Sequence, residues 1–268
     1  MSKFNSSKGL SLLLLFMVAM ATILHAQRKG YVTASIGTGI YFGDLSDQWR
    51  TTDILPAGSI QLGWYVNRAV SFRGVITQGT LGASDSRSLN EARNSRNLSF
   101  RSPLTELQLG VVYELFPDKT FHIRWKRNIH VSPLMFAGLA GFHFNPQALY
   151  QGEWVALQPL GTEGQYLAGH PDGPYRLTQI SFPVGVGLSV RFPGQIALWA
   201  EIGYRKTLTD YLDDVSRSYP DPSLLGTPGA ALSNRSGDRF LTGAKRGNPG
   251  AKDNYAFLSV GIGYFLGQ

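Results

Sequence analysis

Four charged residues, Arg73, Glu106, Glu201 and Arg205, each sit in a run that alternates apolar with polar or small residues. In a strand, positions two apart share a face, so these four belong with Gln108 and Glu114 on the face opposite the aliphatic one. Two acids and two bases on one face can neutralise one another in a narrow interior or line a gated pore. The first is expected here, as a lumen polar network of Arg73, Glu106, Glu201 and Arg205. Glu201 and Arg205 lie four apart on one strand, about 13 Å by strand rise, so they should find partners on neighbouring strands rather than each other. Other chemistry is thinner. His143 with Ser99 and Ser181 could supply a base and a nucleophile, which must come within hydrogen-bond reach to act, but lone His and Ser residues near strand ends more often serve structure. Asp210-Tyr-Leu-Asp213-Asp214 has the carboxylates that suit Ca²⁺ without the ligand spacing of a calcium loop. It reads as a solvated loop offering partners to nearby arginines. Gly161-Thr-Glu-Gly164 lacks the spacing and the Gly-Lys-Ser/Thr of a phosphate loop. No catalytic residue, cofactor or metal is expected.

The elements that must position these residues are strands. Val32, Ala34, Ile36, Ile40 and Phe42 share a face in about 30–43; Ile60, Leu62, Trp64 and Val66 do so in about 57–66; Val70, Phe72 and Ile76 follow after a turn at Asn67-Arg68. In the fourth stretch Leu98 and Phe100 are in one phase and Leu107, Leu109, Val111 and Tyr113 in the other, and a bulge near Pro103 would reconcile them. The fifth, about 129–144, is apolar on both faces. The sixth alternates strictly through Ile180, Phe182, Val184, Val186, Leu188 and Val190, and the seventh and eighth run through Ile196–Tyr204 and Ala256–Tyr264. Period-2 patterning at strand length marks a one-sided sheet. Connections after the second and sixth strands are tight, that after the fourth is intermediate, and those after the first, third, fifth and seventh are long. That rhythm belongs to a barrel with both termini in the periplasm and long outer loops. A lipocalin-like soluble barrel shares strand number and alternation, but it would need the charged face as the lining of a greasy cavity. The expected fold is all-β: an eight-stranded antiparallel transmembrane (outer-membrane) β-barrel, up-and-down.

Composition agrees. Lys3 and Lys8 precede the apolar run Leu10–Leu24, and His25-Ala26-Gln27 offers a cut after Ala26, so 1–26 reads as a signal peptide and 27–268 as the barrel. Cysteine is absent, which excludes a lipoprotein anchor, disulfides and thiolate metal sites. The net charge of +7 is spread along the chain, and with export it argues against a nucleic-acid partner. With 31 glycines and 12% aromatic residues, the chain has the small residues that relieve interior crowding and the rings that sit at lipid interfaces.

Several segments resemble the PorG-type Bacteroidetes outer-membrane barrel proteins, a component of the type IX secretion system. They are Tyr41-Phe-Gly-Asp-Leu-Ser46, Arg96-Asn-Leu-Ser-Phe-Arg-Ser102, Phe136-Ala-Gly-Leu-Ala-Gly-Phe-His-Phe-Asn-Pro146, Leu157-Gln-Pro-Leu-Gly-Thr-Glu-Gly-Gln165, Leu177-Thr-Gln-Ile-Ser181 and Glu201-Ile-Gly-Tyr-Arg-Lys-Thr-Leu-Thr-Asp-Tyr-Leu-Asp-Asp-Val-Ser216. They occur in family order over about 41–216. The resemblance implies a non-enzymatic role in protein transport, with outer-membrane lipid and the periplasmic ring proteins (PorK/PorN-like) as partners. It implies no catalytic residue. Arg124, Trp125, Lys126 and Arg127, in the longest of the turns expected on the periplasmic side, combine aromatic and basic side chains as interface hot spots do. They are candidates for the ring contact, and a membrane girdle is the equal alternative.

Overall fold

In the computed structural model, residues 30–46, 54–117, 120–123, 127–171 and 173–266 are described. The expected signal peptide, 1–26, lies outside them. The strands are β1 (Gly30–Phe42), β2 (Leu55–Tyr65), β3 (Val70–Ser84), β4 (Ser99–Glu114), β5 (Thr120–Ile123), β6 (Arg127–Phe144), β7 (Gln147–Tyr150), β8 (Glu153–Ala156), β9 (Thr178–Arg191), β10 (Ile196–Thr207) and β11 (Asn254–Leu266). Eight of them, β1-β2-β3-β4-β6-β9-β10-β11, pair antiparallel in that order, and β11 returns to β1. The sheet is closed, so no strand edge of the barrel is left unpaired.

Local chemistry sets the turns. Asn67 accepts hydrogen bonds from the Ala69 and Val70 amides, both 2.8 Å, pinning the β2–β3 reversal. Gly194, with φ of 100°, turns β9 into β10. At the other end of the barrel the connections are long. They include a short helix α1 (Glu91–Arg96), the β7–β8 hairpin, and the 208–253 segment with α2 (Gly229–Ser233). The connection between β4 and β6 carries β5, which pairs with the start of β6 and lengthens the sheet at the turn end.

Outside, the barrel is greasy. Ile60, Leu62, Ile76, Leu107, Leu109, Val184, Val186, Val260 and Ile262 are all exposed on the outer face, and Trp64, Tyr113 and Tyr264 ring its turn end. Inside, the face changes character along its length. Tyr31, Val112, Leu134, Phe136 and Trp199 cluster toward the turn end beside Glu114. The charged and amide groups of Arg73, Glu106, Gln108 and Arg205 are buried in between, and Leu81, Phe100, Leu104, Phe142, Phe144, Tyr255 and Phe257 fill the loop end.

That change corrects the expected bulge near Pro103. The register from β3 to β4 runs unbroken from Val70↔Tyr113 through Thr80↔Pro103 to Ser84↔Ser99. Phe100, Leu104, Glu106 and Gln108 all point inward. The switch of apolar phase marks where a polar lumen gives way to an aromatic plug, not a slip of the strand. The fifth stretch looked apolar on both faces because β6 feeds both interior apolar clusters, Leu134 and Phe136 toward the turn end and Phe142 and Phe144 toward the loop end.

Candidate functional site

The lumen is closed by ion pairs that cross it. Arg73 Nη1 donates to both Glu201 oxygens at 2.8 and 2.9 Å and to Gln61 Oε1 at 3.2 Å. Its guanidinium lies 3.8 Å from the centre of the Phe136 ring. Arg205 donates to Glu106 at 3.2 Å and to the Gly203 carbonyl, and Tyr255 donates to Glu106 Oε2 at 2.6 Å. Lower still, Glu114 meets Arg191 and the Tyr65 hydroxyl. The expectation of neighbouring-strand partners is therefore corrected. β10 is bonded to β9 and β11, whereas Glu201 reaches β3 and Arg205 reaches β4. An eight-stranded barrel is narrow enough for long side chains to meet across it.

Packing completes the closure. The Phe136 ring occupies the space over Gly185 and Gly203, where an added Cβ would come within 2.4 and 2.7 Å of it. A cavity between Thr33, Gln108, Trp199 and Arg205 is about 30 Å³, room for a water or two.

Above the plug, the loops form a folded cap. Arg96 of α1 pairs with Asp85 at 2.7 Å and donates to the carbonyls of Asp44 and Arg246. Arg246 pairs with Glu163 at 3.0 Å and donates to the Asp214 carbonyl at 2.6 Å. Tyr41 Oη lies 2.5 Å from Asp213 Oδ2 and 2.9 Å from Asp253 Oδ1. Asp213 Oδ1 and Asp253 Oδ2 accept the Val215 and Leu212 amides. The solvated loop expected at 210–214 is thus corrected: Asp210, Asp213 and Asp214 are buried and organise the cap, because four loops fold over them. Burial pushes the carboxyl of Asp210 up to about 7 and that of Asp214 up to about 6, the latter opposed by Arg246. Burial and neighbouring carboxylates hold Asp213 and Asp253 well above the usual range. Among the described residues no cluster of His, Asp and Glu has the arrangement of a metal site.

His143, Ser99 and Ser181 are not brought together. His143 faces outward beside Thr178 (3.1 Å), Ser181 is buried inside near Tyr255, and Ser99 accepts a bond from Arg235. Glu163 in the Gly161–Gly164 segment receives the Ser216 and Arg217 amides, and its role is structural. Arg124, Trp125 and Lys126 lie outside the described residues. Arg127 opens β6 opposite Ile123, and its side chain lies outside them too. The residues that sequence reasoning missed are Arg96, Glu163, Arg246 and Asp253, all in loops where no periodicity marks an inward face.

A closed antiparallel barrel of eight strands with a greasy exterior, a polar-to-aromatic filled interior and long loops at one end defines the outer-membrane β-barrel class. Within it, the chain belongs to the family described as a domain of unknown function, DUF6089, whose model matches residues 9–225. Solved structures of similar shape include Neisserial surface protein A (13% identity, 88% of this chain and 96% of that one, TM-score 0.43). The attachment invasion locus protein Ail of Yersinia pestis, in complex with the heparin analogue sucrose octasulfate, is 11% identical over 90% of this chain and 99% of that one, with TM-score 0.40. The N-terminal barrel of Pseudomonas aeruginosa OprF is 11% identical over 89% and 97%, with TM-score 0.38. No curated protein is significantly similar in sequence.

Proposed function

We propose that this protein is a non-enzymatic outer-membrane barrel component of the type IX secretion system that anchors or organises the periplasmic ring subunits. In this reading both termini lie in the periplasm and the capped loop end faces outward. The observation that carries the non-enzymatic, non-channel part is the lumen. With Arg73–Glu201 and Glu106–Arg205 crossing it and an aromatic plug above, action falls to the surfaces. The ordered segments over 41–216 favour the secretion role. The ring must be met at the turn end, where the β5–β6 extension offers more surface than the tight turns after β2 and β9. A stand-alone barrel whose loops bind surface ligands is the second reading, favoured by the folded cap.

Crosslinking pull-down from native membranes separates them. Replacing Arg124, Lys126 and Arg127 by Glu should leave barrel assembly intact and weaken ring capture and export of type IX cargo, with a marked salt dependence. A triple variant that assembles, keeps the ring and exports normally would remove this turn as the contact. A wild-type protein isolated as a lone monomer would favour the second reading, and altered lipid A on deletion would point to an enzyme instead.

A further inference from the structure

The charges of the barrel strands are sorted by sign. The carboxylates of the eight barrel strands, Glu106, Glu114 and Glu201, face the lumen against arginines. Among the described side chains of these strands, the formal charges on the outward side are half-buried Arg101 of β4, whose Nε donates to Gln147 Oε1 at 3.2 Å, and exposed Lys206 of β10. Both lie toward the loop end.

The boundary there is also polar in a continuous line. Gln78↔Thr105, Thr105↔His143 and His143↔Thr178 are register partners, so one rung of exposed polar side chains crosses β3, β4, β6 and β9. Each is the first polar outward residue beyond exposed apolar ones on its own strand: Ile76, Leu107, Leu139 and Ile180 precede them toward the middle. Four strands span about 14 Å, the scale of a lipid headgroup. Beyond the rung stand Arg101, whose guanidinium lies 3.8 Å over the Trp154 ring, and exposed Arg176.

An outward carboxylate at this depth would repel headgroup phosphates, whereas Arg and Lys there attract them by about 1 kcal/mol per charge. We propose that the loop-end rim, formed by Arg101, Lys206 and the Gln78–Thr105–His143–Thr178 rung, binds the phosphate of anionic lipid headgroups. The inference does not depend on which cell compartment the loops face.

Short-chain phosphatidylglycerol, phosphatidylcholine of the same chain length and inorganic phosphate are titrated into the detergent-solubilised protein, with binding read by native mass spectrometry. Phosphatidylglycerol should bind more tightly than phosphatidylcholine. Arg101→Gln and Lys206→Gln should each cut that preference about fivefold, the factor that about 1 kcal/mol represents, while Arg101→Lys keeps it. Heat-modifiable gel migration checks that each variant is folded, and Lys206→Gln carries the test if Arg101→Gln does not assemble. Equal binding of the two lipids overturns the proposal, as does a folded double variant that keeps the preference. Inorganic phosphate binding as tightly as phosphatidylglycerol would also overturn it, because the rim would then hold a free anion rather than a lipid.

Discussion

Removing Arg205 alone should damage the barrel more than removing its whole ion pair. Glu106 is 0% exposed and Arg205 5%. In Arg205→Met, Glu106 keeps the Tyr255 hydroxyl at 2.6 Å and loses its guanidinium. The neighbouring Arg73 is already committed to Glu201 and stacked on Phe136, so it is poorly placed to substitute. Leaving one buried charge uncompensated costs about 3–5 kcal/mol. In the double variant Glu106→Gln/Arg205→Met no charge is stranded. The introduced amide can still accept from Tyr255, and the introduced thioether can keep the contact that the Arg205 guanidinium makes 4.8 Å from the Phe257 ring. The double change should recover at least about 2 kcal/mol of the loss, since apolar replacement of a buried pair is often close to neutral. Urea titration in lipid vesicles, scored by the folded band on unboiled gels, reads the loss in the single variant as a midpoint shift of about 1–5 M at ordinary slopes. If the single variant matches wild type, or the double is as unstable as the single, the crossing pair is not an electrostatic brace and the reasoning fails.

Val186→Arg, on the exposed outer face of β9, should cost about 2–4 kcal/mol if residue 186 lies near the bilayer midplane; wild-type stability in vesicles would mean the face faces something other than lipid. Gly185→Ala should cost about 1–3 kcal/mol by overpacking, since its Cβ meets the Phe136 ring and the Ile202 carbonyl at 2.4 Å. Phe136→Leu should relieve part of that loss, and absence of any rescue in the same titration would show that the backbone contact governs. The cap should loosen as pH rises. Asp210, Asp213, Asp214 and Asp253 bind protons more tightly folded than unfolded, so their contribution is complete below about pH 4 and is lost through about 6 to 7 and above. Limited proteolysis of the 208–253 segment should accelerate from about pH 5 to about pH 8, and Asp253→Asn should flatten that dependence; a rate constant with pH, after correction for the protease, would reject it.

How much was legible depends on whether alternation reached the residue. β9 declares both faces through Val184, Val186 and Leu188 against Gly185, Gly187 and Ser189. The same rule set Arg73, Glu106, Glu201 and Arg205 on one face. Their pairing was not legible, because it depends on barrel closure: β10 meets β3 and β4 only across the lumen. β4 misled because alternation reports side, not polarity of surroundings, and its inner face is aromatic at one end and charged at the other. The cap was illegible for a further reason. Asp213 and Asp253 are forty residues apart in a segment without periodicity, and Arg96, Glu163 and Arg246 come from different loops.

The cap's composition fixes the order in which the molecule can be put together. Arg96 reaches Asp44 and Arg246, and Arg246 reaches Glu163, so contacts from four separate connections converge. The bonds between connections need the strands that carry them to have met. Arg96 can already be matched by Asp85 of its own connection, whereas Arg246 and Glu163 come from different connections and must wait for each other. Once clasped, the Arg246–Glu163 pair ties two connections together, and parting them would leave two buried charges unmatched. The cap is thus a knot between loops, whose bonds report that the barrel beneath them has closed.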